Sequence, residues 1–81
     1  MFMWYHYAMY VTKEQIVIRN GMKLDDMLYL CNRANLSKLS ADRMIMKYVH
    51  GLTIKEIADK EGVEPESIKA SLRRSRKAIQ S

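Results

Sequence analysis

The chain has 81 residues, with 14 Lys or Arg against 9 Asp or Glu, a formal net charge of +5, 48% apolar residues and a single cysteine. That length sets one small domain with an economical core, and lone Cys31 excludes an intramolecular disulfide and fits a reducing cytoplasm. There is no glycine-rich phosphate loop, catalytic triad or paired carboxylate site, and His6 and His50 lack a second ligand at metal spacing, so no enzyme, metal or cofactor is expected.

The chain starts with an aromatic stretch: Phe2, Trp4, Tyr5, Tyr7 and Tyr10 fall within ten positions. It has neither the basic start nor the small-residue cleavage site of a secretory signal, and its apolar run is too short to cross a bilayer, so no membrane role is expected. Met3 and Met9 are alternative starts. Residues 1–21 are set apart as an arm or short extra element, ahead of a domain over residues 22–81. The aromatics either cover a face of that domain or form an exposed patch for a protein partner or a second copy of the chain, a homodimer through the arm. Ile16-Val17-Ile18 before Asn20-Gly21 reads as a strand entering a hairpin turn. With Thr12 and Gln15 as a capping box it reads as a short helix stopped at Gly21, and the helix is the expectation.

Apolar residues at Leu24, Met27, Leu28 and Cys31 then recur at helical spacing, predicting a helix from Leu24 to about Arg33 with that stripe buried. Asp25 and Asp26 suit the positive end of its dipole. Cys31 falls on the stripe as a small buried hydrophobe rather than a nucleophile. Residues 34–39 form a short connection. Ser40 is expected to cap a helix over residues 41–50, with Met44, Ile45, Tyr48 and Val49 inward, Leu52 closing its end and His50 capping it.

Residues 53–79 carry the densest local signals. Thr53 with Glu56 three residues on is a capping box, and Ile54, Ile57 and Ala58 share one face of the helix it starts. Gly62 stops that helix in the left-handed conformation, Val63 plugs the turn from beneath, and Pro65 opens the next helix where its missing N–H is harmless. A turn of about three residues between two such helices describes a helix-turn-helix. On the second helix Ile68, Leu72, Ser75 and Ile79 fall in one narrow sector. Glu66, Ala70, Arg73 and Lys77 lie opposite, with Lys69, Arg74 and Arg76 on the flanks. From Glu66 onward there are five basic residues and one acidic, a net of +4, leaving +1 over residues 1–65. A basic helix behind a capped turn points to nucleic acid.

Leu39-Ser40, Asp42-Arg43, Lys47-Tyr48-Val49, Gly51-Leu52-Thr53, Glu56-Ile57-Ala58, Gly62-Val63 and Ile68-Lys69 with Leu72, Arg74, Arg76 and Lys77 together resemble region 4 of bacterial sigma factors, over residues 39–79. They resemble LuxR-type DNA-binding domains more distantly. The Gly-Leu-Thr-x-x-Glu-Ile-Ala run is the most specific piece. Ending just past the recognition helix, as region 4 does, favours the sigma-type likeness, since LuxR-type domains continue into a further helix. The resemblance implies an all-α fold, a small helical bundle with three helices ahead of a recognition helix at residues 65–79. It also implies RNA polymerase as a partner, through the flap of its β subunit. Glu64 stands where that family more often has Ser or Thr as a cap; a carboxylate suits the helix's positive end but repels phosphate. Nothing resembles sigma region 2, so a complete sigma factor is not expected.

The function expected is a cytoplasmic, phage or bacterial, DNA-binding transcription regulator whose recognition helix enters the major groove of double-stranded DNA. Glu66, Ser67, Lys69, Ala70 and Arg73 are the candidate base readers, with Arg73 suited to the O6 and N7 of guanine. Arg74, Arg76 and Lys77, with Thr53 and Lys55 from the preceding helix, are the candidate phosphate contacts. One module reads few base pairs, so specificity calls for a dimer or a second protein. The alternative is a small phage or mobile-element protein that uses this fold to bind RNA polymerase or another host factor instead of DNA. A weaker third reading is the DNA-recognition part of a phage packaging complex.

Overall fold

The computed structural model describes residues 16–81. Four helices follow one another: α1 (Leu24–Arg33), α2 (Lys38–Tyr48), α3 (Ile54–Glu61) and α4 (Pro65–Gln80), and no strand occurs among the described residues. The all-α bundle expected from the sequence is present, with three helices ahead of the basic one.

Residues 16–19 are neither helix nor strand, which corrects the expected helix ending at Gly21; Thr12 and Gln15 lie outside the described residues. Ile16 and Ile18 pack against the core while Val17 between them is exposed, the in-and-out alternation of an extended segment. Asn20 and Gly21 make a turn, with Gly21 at φ 84°. The backbone N–H groups of Gly21 and Met22 both donate to the Tyr48 carbonyl, at 2.8 and 3.1 Å. Gly21 therefore docks the chain on the end of α2.

In α1 the inward residues are Met27, Leu30 and Cys31. Leu24 and Leu28, expected inside, are 44% and 46% exposed. The helix has apolar residues on more than one side, and burial of Leu30 rotates the face toward α2 and α4, carrying those two leucines to the rim. α2 starts three residues earlier than expected. Ser37, not Ser40, is the cap: its hydroxyl accepts the Ser40 backbone N–H at 3.2 Å. The helix ends at Tyr48, and the N–H groups of Val49 and His50 both reach the Ile45 carbonyl. His50 is exposed beyond the cap residue Val49, so its contribution to the helix end is this backbone N–H.

α3 carries both halves of the Thr53–Glu56 capping box and ends at Gly62, φ 71°, as its sequence predicts. Val63 does not plug the turn. Its backbone N–H closes the end of α3 on the Ala58 carbonyl, and its side chain is 38% exposed. Burial on either side of the turn comes from Ile57, Ala58 and Ile68. Pro65 opens α4, while the Glu64 side chain makes no capping bond and leaves that end to its carbonyl, which accepts from Ser67. α4 packs against all three other helices, and Met27, Met44, Ile57, Ile68 and Leu72 are its fully enclosed core partners and core residues.

Candidate nucleic-acid interface

The inward face of α4 is Ile68, Leu72, Ser75 and Ile79, as the spacing predicts, with Ser71 buried as well. At 100° per residue this places the remaining positions outward. Glu66, Ser67, Lys69, Arg73, Arg74 and Lys77 are exposed, and Ala70 is half-buried among them. None of Lys69, Arg73, Arg74 and Lys77 is ion-paired with a described residue, so their charge is available to a partner. Arg76 is different. It is half-buried, and its Nη1 donates to the Tyr48 hydroxyl on α2 at 2.9 Å.

Lys55 is exposed on α3 near the motif's start. Thr53 is exposed too: its oxygen accepts the Glu56 backbone N–H at 3.1 Å, and its own N–H donates to the Glu56 carboxylate at 2.8 Å. Its hydroxyl proton remains free to donate outward. Phe2, Trp4, Tyr5, Tyr7 and Tyr10 lie outside the described residues.

Two side-chain pairs hold the motif in place. Arg43 on α2 grips Glu61 at the end of α3 with Nε on both carboxylate oxygens, at 3.0 and 3.1 Å, and Nη2 on Oε1 at 2.6 Å. The two side chains are only 13% and 18% exposed. This forked geometry fixes angle as well as distance, so it sets α3 against α2. The hydrogen bond to Glu61 also holds the Arg43 guanidinium above its ordinary range, against the opposing effect of burial. The Tyr48–Arg76 bond ties the far half of α4 to the same helix. Beside it Lys47 sets Nζ 5.3 Å from the centre of the Tyr48 ring, with Nζ 3.5 Å from the Asn20 side-chain oxygen.

Sequence reasoning missed Arg43, Glu61 and Tyr48 as parts of this framework. The partners are 18 and 28 residues apart, beyond any local periodicity. The one available signal was Tyr48 on an inward face, because a part-buried tyrosine hydroxyl needs a polar partner.

No helix among the described residues is long and apolar enough to cross a membrane. No curated protein and no solved structure matches the chain significantly. A family model described as sigma-70, region 4, matches residues 34–79, from the end of α1 to the last turn of α4 and more than half of the 81 residues. With the capped turn and the basic outer helix in the order that likeness requires, the chain belongs to the sigma-70 region 4 family.

Proposed function

We propose that this protein is a sequence-specific DNA-binding transcription regulator that lays α4 in the major groove. The observation carrying the reading is the concentration of charge on the outer face of α4, where Lys69, Arg73, Arg74 and Lys77 stand exposed around the lone acid Glu66. The family's association with DNA and RNA polymerase supports it. Glu66, Ser67, Lys69, Ala70 and Arg73, early on that face, take the base edges. Arg74, Arg76 and Lys77, with Thr53 and Lys55, hold the phosphates that fix register. Residues 22–81 serve as the DNA-binding unit, and the aromatic arm as a contact for a protein or a second copy of the chain.

The test is fluorescence anisotropy with random-sequence duplex DNA across a salt series. Expected is binding at roughly micromolar concentration, with log K falling against log salt at a slope of about −4 to −5. Arg73→Ala/Arg74→Ala flattens that slope by about 1, the share of Arg74, and weakens binding further through the base contact of Arg73. A folded protein that fails to bind at low salt overturns the reading.

A second reading has the same fold bind RNA polymerase or another host protein. It draws on Leu24 and Leu28, apolar side chains exposed one turn apart on α1. It predicts that purified RNA polymerase retains the Arg73→Ala/Arg74→Ala protein and loses Leu24→Ser/Leu28→Ser. Equal retention of both variants removes the α1 surface from consideration.

A further inference from the structure

The hydrogen bond between Arg76 and Tyr48 joins the second half of α4 to the last residue of α2. It leaves both groups with donors to spare. A guanidinium has five N–H groups and Tyr48 occupies an Nη1 position; a phenol oxygen that accepts from arginine still carries its own proton. Both residues are half-buried rather than enclosed, so the pair is not sealed from a partner at the surface. Lys47 adds a second cation beside the ring. On α4, Lys69, Arg73 and Arg76 follow one another at spacings of four and three, a ridge along one flank of the helix. Tyr48 stands at the end of that ridge.

We infer that Tyr48 and Arg76 form a single clamp for a backbone phosphate of duplex DNA, extending the contact from α4 onto the end of α2. Tyr48 supplies its hydroxyl proton, and Arg76 supplies the N–H groups that Tyr48 does not occupy. Pairing before contact also holds the long arginine side chain in one arrangement, so less rotamer freedom is lost when phosphate arrives. The clamp rests on the DNA reading above and adds to it a residue outside the helix-turn-helix.

The test uses the full chain, random-sequence duplex DNA and a salt series, with circular dichroism to confirm folding. Tyr48→Phe removes one hydroxyl and no charge, so affinity falls about three- to tenfold while the salt slope stays that of wild type. Arg76→Ala removes a phosphate-neutralising charge and lowers the slope by about 1. Arg76→Lys keeps the charge and loses the fork, giving the wild-type slope with weakened binding; it carries the measurement if Tyr48→Phe fails to fold. Wild-type binding with affinity unchanged in Tyr48→Phe and Arg76→Lys, and slope unchanged in Arg76→Ala, overturns the clamp and leaves α4 on DNA. No binding by folded wild-type protein overturns the clamp and the DNA reading together.

Discussion

Arg43 and Glu61 show how much a single contact carries in a bundle this small. Both side chains are mostly covered, and each satisfies the other's charge through a fork. Removing one partner leaves a part-buried charge without compensation, so Arg43→Ala lowers unfolding free energy by about 2 kcal/mol. Urea titration checks this, and Arg43→Ala/Glu61→Ala loses less than the two single changes summed. The guanidinium lies above the ordinary arginine range when folded. Its contribution is therefore fully present below that range and is lost only as pH rises through the raised value, so stability derived from its charge stays flat from neutral to mildly alkaline pH. Cys31 is governed by burial alone, which pushes its thiol up. It stays protonated at neutral pH and reacts with a disulfide reagent far more slowly in the native protein than in denaturant. Equal rates in both conditions contradict its place in the core.

The elements are set by their ends, and the two hydroxyl caps make the same prediction, distinct from that for positions without a cap. Thr53 and Ser37 each accept a backbone N–H three residues on. Thr53→Ala and Ser37→Ala each cost about 1 kcal/mol in thermal or urea unfolding. Ser40→Ala and Glu64→Ala, at positions without a capping bond of their own, change stability by a few tenths at most. At Gly62 an added Cβ meets nothing within 4 Å, yet φ of 71° strains any other residue, so Gly62→Ala costs about 1 kcal/mol. These ends also mark where sequence was readable. The signals at Thr53, Glu56, Gly62 and Pro65 act within four residues and agree with one another, so α3, the turn and α4 were legible. Ser37 and Ser40 offer the same hydroxyl to neighbouring starts, and the choice falls to the start that adds a turn to α2. In α1, Leu24, Leu28 and Leu30 are equally apolar, and only contact with α2 and α4 selects among them. The exposed basic side chains of α4 followed from its inward stripe, whereas the engagement of Arg76 by Tyr48 depends on how α2 crosses α4.

Taken whole, the molecule separates a neutral, methionine-containing interior from a cationic outer helix. Met27 and Met44 are fully enclosed beside Ile57, Ile68 and Leu72, and α4 supplies two of those five while also holding the charge. Met44→Ala leaves a cavity at the centre and costs about 2–5 kcal/mol, a large share of the stability of a single domain. Circular dichroism melts should show a lowered midpoint, and DNA affinity should fall with the folded fraction. A membrane-sized apolar span plays no part in this balance among the described residues. The amides of Gly21 and Met22 share the carbonyl of Tyr48, so any fraying of the last turn of α2 that displaces that oxygen takes the acceptor from both at once. In deuterium exchange the two amides and the closing turn of α2 should gain label on one clock, and a ligand that quiets Tyr48 should slow all of them, including an amide pair that lies ahead of every helix in the chain.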